Sequence, residues 1–188
     1  MSSAPPRVRN VIPFRAVNRP GDFDYDNGLQ RHHILPRQLL TERSFGSLFD
    51  TIGRERIGFD DFRTNGLLLP ANDIAAVRIG LPLHRGPHRN YNELVIARVG
   101  QIEASWSTIR ARSPEAALAE ALMRLSLLQK TLRRRLLNPL RDRFVLNRSD
   151  PFSQAFDFAE LDDMADALWP ETDAIQLADE ASLTDTSR

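Results

Sequence analysis

The 188-residue chain has four histidines. They form a pair, His32-His33, and a spaced couple, His84-Arg85-Gly86-Pro87-His88. Three neutral imidazoles can hold a divalent cation, and a fourth can take a proton from water. With an ordinary pKa of about 6.5, an imidazole is largely neutral at pH 7 and suited to either task. Neighbours on an extended strand point to opposite faces, so His32 and His33 divide the labour, one toward a metal and one toward a water. His84 and His88 are four apart and would share a face of a continuous helix, but Gly86 and Pro87 intervene. His84 is therefore expected in the loop leading to a helix, and His88 on that helix's first turn. Any one of these rings alone reads as a capping or core histidine; four in this spacing do not.

Between the two histidine groups lies Asn65-Gly66-Leu67-Leu68-Leu69-Pro70. An Asn-Gly pair is a turn signal. The Asn65 side chain could also tie that turn to the opposite strand and so orient the base.

The elements that must carry these residues follow from punctuation and periodicity. Prolines 5, 6, 13 and 20 and the aspartate-rich stretch 21–28 leave residues 1–28 irregular. Residues 30–35 form a short segment stopped by Pro36. Leu39, Leu40, Phe45, Leu48, Phe49 and Ile52 predict one or two short helices ending at Gly53. Residues 60–65 read as a turn and 66–69 as a short apolar strand. Asn72 or Asp73 caps a helix through Ile79, closed by Gly80. Pro87 suits the first turn of a long helix, and Tyr91, Val95, Val99, Ile102, Trp106 and Ile109 recur at helical spacing up to about Ala111. Ser113-Pro114-Glu115 starts another, through about Leu137, with Leu118, Leu122, Leu125, Leu132 and Leu136 as its apolar stripe. The two should pack as an antiparallel hairpin. An amphipathic segment (Phe152, Phe156, Leu161, Met164, Leu168, Trp169) follows, with fraying expected beyond Pro170.

Cysteine is absent, so any metal must use histidine or oxygen. No apolar run approaches membrane-spanning length. The first 19 residues lack the apolar core of a signal peptide, so the chain as encoded is expected in the cytoplasm. The zero net charge conceals an asymmetry. Of 25 basic and 25 acidic residues, 151–188 hold ten acids and one base, a tail of −9. The remaining 24 bases and 15 acids make a body of +9. A basic body suits a polyanion, because each neutralised phosphate releases counterions. Arg31, Arg37, Arg85 and Arg89 flank the histidines and could clamp phosphate, although solvated charge is the plainer reading of each. The tail reads as an acidic, partly disordered segment; folding over the body as a mimic of nucleic acid is the sharper alternative. There is no P-loop, no G-x-G-x-x-G and no G-x-S-x-G.

Three blocks, Arg31-His32-His33-Ile34-Leu35-Pro36, Asn65-Gly66-Leu67-Leu68-Leu69-Pro70 and Leu83-His84-Arg85-Gly86-Pro87-His88-Arg89-Asn90-Tyr91-Asn92, resemble the AHH family of the HNH/endonuclease VII (His-Me finger, ββα-metal) nucleases. The resemblance covers about residues 29–105. Arg31 stands where the family name has alanine, and the cysteines that hold a structural zinc in some superfamily members are missing. The resemblance implies that His32, His84 and His88 bind the metal, that His33 is the general base and that Asn65 holds the hairpin placing it. It further implies hydrolysis of phosphodiester bonds in nucleic acid, DNA before RNA, with one divalent ion (Mg, Mn, Ni or Zn). Members of this family often serve as the toxic tip of secreted bacterial toxins, so a toxin or defence role, dedicated secretion and an immunity protein as partner come with it. The competing reading is a non-catalytic, metal-stabilised interaction module, in which His33 would also coordinate and close the site.

The expected architecture is α+β, mostly α. It comprises an irregular arm (1–28), a nuclease domain with a ββα-metal core and supporting helical hairpin (29–150), and the acidic tail (151–188).

Overall fold

The computed structural model describes residues 10–138 and 144–152. The described part is mostly helical with one two-stranded antiparallel sheet, as the sequence predicts. Apart from Pro151 and Phe152, the expected tail, with the rest of its amphipathic segment, lies outside the described residues.

Strand β1 spans Leu29–His33 and pairs with β2, Gly66–Pro70, placing His32 opposite Leu67 and His33 opposite Gly66. Between them come two short 3-10 turns, Arg37–Leu40 and Arg43–Phe45, and helices α1 (Gly46–Ile52), α2 (Arg54–Ile57) and α3 (Phe62–Asn65). Leu39, Phe45, Leu48, Phe49 and Ile52 are buried as the spacing predicts. Helix α1 stops at Gly53, whose φ of 82° suits a residue without a Cβ. Residues 60–65, expected as a turn, contain the four-residue α3. Asp61 caps it by accepting from the Arg63 backbone N–H, an N-cap that the turn reading left out.

After β2, Asn72 accepts from Ala75 N at 2.9 Å and caps α4, Asp73–Ile79, which ends at Gly80 in a left-handed conformation. The long pair follows: α5, Arg89–Arg110, and α6, Pro114–Leu137. Ser105 donates to Glu120 across a three-residue connection, which makes the pair antiparallel. Among the described residues, no helix is long and apolar enough to cross a membrane.

Two details of this pair differ from the periodicity. Helix α5 begins at Arg89, not Pro87. Gly86 takes a φ of 80°, and His88 has a non-helical backbone whose carbonyl accepts the first helical bond from Asn92 N, so His88 is the N-cap. On α6, Ala117 and Ala121 are buried where Leu118 and Leu122 were expected, while Leu125, Leu132 and Leu136 are buried as expected. The short connection brings the helices close at that end, and alanine fits the gap. The polar Arg98, Gln129 and Arg135 also lie on the buried faces.

The N-terminal arm is irregular except for one 3-10 turn, Phe14–Ala16. Pro13 makes an isolated bridge to Asp61, and Ile12 N donates to the Asp61 carboxylate at 3.0 Å. Asn18 fastens the next stretch: its side chain donates to Asp26 O and Leu29 O and accepts from Asp26 N. These contacts lay the arm along the start of β1.

Candidate metal and catalytic centre

Alternation along β1 sends His32 inward and leaves His33 half-buried. The inward ring meets the other two. Ring centroids are 4.8 Å apart for His32 and His84, 5.7 Å for His32 and His88, and 4.3 Å for His84 and His88. Each offers one nitrogen, and the three nitrogens lie within 4.8 Å of one another. His84 is brought there by its loop, because His84 N donates to Pro70 O at the end of β2. His88 arrives as the N-cap of α5.

The outer contacts decide which nitrogens converge. His84 Nδ1 lies 3.2 Å from Gln30 Oε1, and His88 Nδ1 lies 3.2 Å from the Leu146 carbonyl oxygen. An acceptor at Nδ1 fixes the proton there and leaves the Nε2 lone pair free, the arrangement typical of metal-bound imidazole. His32 is 4 % exposed, and its Nε2 is buried with no hydrogen-bond partner. A buried polar atom without a partner costs about 1–3 kcal/mol, and a cation at the meeting point of the three rings would supply one. The residues present therefore fit a divalent ion.

Electrostatics favour the same form. Burial, then the neighbouring His84 and His88, hold His32 well below its ordinary pKa. Burial lowers His84 to about 4, with His88 adding to the effect. Burial also lowers His88, partly offset by the Leu146 carbonyl. All three rings are thus neutral at pH 7, as ligands must be.

His33 stands outside this cluster on the other face of β1. Its ring stacks on Phe14, centroids 3.7 Å apart and planes within 4°. Among the described residues no protein group hydrogen-bonds its nitrogens. Its pKa is lowered to about 4, by burial first and Arg37 second, against an opposing effect of Asp60. The ordinary value of about 6.5 assumed from sequence is therefore not the value in the fold, because the ring is half-buried beside a guanidinium.

Asn65 is completely buried. Its Oδ1 accepts from Leu35 N at 2.7 Å, and its Nδ2 donates to Leu35 O at 3.2 Å and Phe59 O at 3.1 Å. Its backbone carbonyl accepts from Ile34 N at 2.8 Å. One residue thus holds the chain just after His33 to the start of β2. Gln129 of α6 donates to Ile57 O and lies 3.4 Å from Asn65 Oδ1, linking the clamp to the helical hairpin.

Sequence reasoning missed three further participants. Phe14 sits in the arm, where its only signal is one aromatic between breakers. Tyr91 reads as a core position of α5 and is one. In addition its hydroxyl donates to Ile34 O at 2.6 Å, its ring meets His32 at 5.1 Å, and burial raises its pKa so that the proton stays. Gln30, the outer partner of His84, carries no signal at all. Of the four flanking arginines, all exposed, Arg31 has a specific partner: it donates to Phe14 O at 3.0 Å.

Two antiparallel strands, a histidine-bearing loop and the start of a helix bring three imidazoles together, with a fourth on the other face of β1. The sequence model of AHH, a nuclease family of the HNH/ENDO VII superfamily with conserved AHH, matches residues 14–131, and the chain belongs to this family. The match begins at Phe14, inside the arm. Neither a curated protein nor a solved structure matches the chain.

Proposed function

We propose that the protein is a metal-dependent endonuclease of the HNH type, with a ββα-metal finger formed by β1, β2 and the start of α5. The nuclease domain would run from about residue 29 to 150, with the arm supplying Phe14. The observation that carries the reading is the convergence of His32, His84 and His88 with His33 held apart on the opposite face. His32, His84 and His88 would hold one divalent ion, which when bound supplies charge neutralisation at the phosphate and the leaving oxygen.

The chain's own residues do the rest. His33 is neutral at pH 7 and its nitrogens are uncommitted to any protein group among the described residues, so it accepts a proton from an attacking water. Its basicity is low because it is half-buried and Arg37 faces it, and a bound phosphodiester anion offsets that charge and raises it. Asn65, Phe14 and Gly66 fix where the ring stands. Arg37, Arg85 and Arg89, all exposed, present cations to the backbone of a nucleic acid. The +9 body favours DNA, the denser polyanion, over single-stranded RNA. A role as a toxin or defence effector, neutralised by an immunity protein, is the setting this reading adopts.

Three ligands with His33 outside leave open positions at the ion, unlike the closed four-ligand sites of structural zinc. That weighs against a purely structural metal module. The decisive experiment is digestion of plasmid DNA and of RNA with Mg²⁺, Mn²⁺, Ni²⁺ or Zn²⁺, against EDTA and His33→Ala. We expect metal-dependent cleavage by the wild type. His33→Ala should lose about 10²–10⁴-fold in rate yet retain the ion in a binding titration, whereas His32→Ala should lose the ion. A wild type inert on both nucleic acids with all four metals would overturn the proposal.

A further inference from the structure

The turn 144–152 lies beyond the family-matched span, which ends at residue 131, and it faces the histidine loop. Three of its groups meet successive parts of that loop. The buried Asp150 carboxylate accepts from Leu83 N at 2.8 Å. Asn147 Nδ2 donates to Arg85 O. The Leu146 carbonyl lies 3.2 Å from His88 Nδ1. The turn is itself braced, with Asp150 N donating to Asn147 O, Ser149 N to Asn147 Oδ1, and Phe152 N to the Asp150 carboxylate. At its start the buried Phe144 packs edge-on against Tyr91 at 5.7 Å, and Tyr91 in turn meets His32.

We propose that this turn is part of the metal centre, with Asn147 and Asp150 as positioning residues. They hold the backbone of 83–88 so that the Leu146 carbonyl can fix His88 with its proton on Nδ1 and its Nε2 aimed at the ion. Leu83 directly precedes His84, so the Asp150 bond also sets where that ring starts. The functional unit therefore extends past the family-matched span to Phe152. The inference rests on the metal-site reading above, but it concerns the geometry of the loop rather than cleavage.

Two measurements on the full chain test it. The first is titration of Zn²⁺ and Mn²⁺ against a competing chelator for wild type, Asn147→Ala, Asp150→Ala and Asp150→Asn. Outer-sphere partners of metal-bound histidine are typically worth about 10–100-fold in affinity. Asp150→Ala should fall in that range and Asp150→Asn should recover part of it. Asn147→Ala, at a half-buried position, should weaken binding about threefold or more, a smaller effect than that of the fully buried Asp150. The second is ¹⁵N NMR of the His88 ring in metal-free wild type, which should show the proton on Nδ1. Asn147→Ala binding within about twofold of wild type, or a His88 ring protonated on Nε2, overturns the proposal. The tautomer readout needs neither bound metal nor activity, so failure of the turn's role is distinguishable from failure of the nuclease reading. A wild type that binds no ion overturns both, whereas a wild type that binds the ion with His88 protonated on Nε2 overturns the turn's role alone.

Discussion

Phe14 lies flat on His33, ring centroids 3.7 Å apart, although the two are far apart in the chain. Arg31, the residue that departs from the AHH pattern, holds Phe14 in place by donating to its carbonyl. On β1, Arg31 and His33 share a face, so the same strand that presents the proposed base presents the tether of its stacking partner. Without a hydrogen bond to its nitrogens among the described residues, His33 depends on this stack for orientation. Phe14→Leu keeps apolar bulk and removes the flat surface. We expect it to lower kcat about tenfold with metal affinity unchanged, because a misaligned base loses proton transfer while the three ligands stay put. Arg31→Ala should show the same split in weaker form. Equal loss of metal affinity and rate would contradict it.

Asn65 makes a second prediction. Its side chain satisfies both backbone groups of Leu35 and the carbonyl of Phe59, all at a fully buried position. Removing one partner of a buried pair costs about 1–3 kcal/mol. Asn65→Ala orphans three such groups and should cost about 3 kcal/mol or more, read as a lower urea midpoint at unchanged m-value. Asn65→Asp keeps the acceptor for Leu35 N but replaces the donating amide with a carboxylate oxygen facing two carbonyls, and should be no better. A variant within about 0.5 kcal/mol of wild type would remove Asn65 from this role.

Gly66 sits opposite His33 in the register. Its φ of −114° is open to any residue, but a Cβ there would lie 2.2 Å from the Phe62 ring. Phe62 meets Phe14 edge-on at 5.2 Å. Gly66→Ala should therefore push Phe62 into Phe14 and disturb the stack on His33, at a cost of about 1–3 kcal/mol for overpacking. Phe62→Leu alone should be milder, and the double variant should recover much of the loss as a favourable coupling. Additive effects would show that the two rings do not communicate.

Local signals made the helices and β2 legible. Tyr91, Val95, Val99, Ile102 and Trp106 recur at helical spacing and are all buried; Asn72 caps α4; Pro114 opens α6. The candidate ligands were legible because histidines paired and spaced in this way seldom arise as independent core or capping residues. What escaped was carried by contacts far apart in sequence. Nothing near Phe14 announces His33, and nothing near Asp150 announces Leu83, 67 positions away. Polarity misled on the helices as well. Arg98, Gln129 and Arg135 lie at helical spacing with the apolar stripes and are buried there, although their polarity argues for solvent. The placement of His88 turned on two residues, Gly86 and Pro87, whose combined turn moves the helix start from Pro87 to Arg89.

The four depressed histidines give a pH prediction with a definite sign. Their folded-state pKa values lie below the ordinary 6.5, at about 4 for His33 and His84 and lower than normal for His32 and His88. Between those limits the unfolded chain binds more protons than the folded one, so metal-free stability rises with pH. The contribution is fully present above about pH 6.5–7, is lost as pH falls, and levels off for His33 and His84 near pH 4, where their folded-state rings also protonate. The carboxylates of Asp22, Asp26 and Asp61 are lowered from an ordinary 3.8 and so act below this window. Loss of at least about 1 kcal/mol, roughly the worth of one pKa unit, is therefore expected between about pH 7.5 and 5. Urea titrations of the EDTA-treated protein at about pH 7.5, 6 and 5 measure it. Saturating Zn²⁺ should add stability at about pH 7.5, because the ion binds the folded state, and should add less at about pH 5, where protons compete for the same nitrogens. A midpoint that stays level across that range would mean that the rings are not held neutral by the fold, and the premise that they are ready to take a cation would go with it.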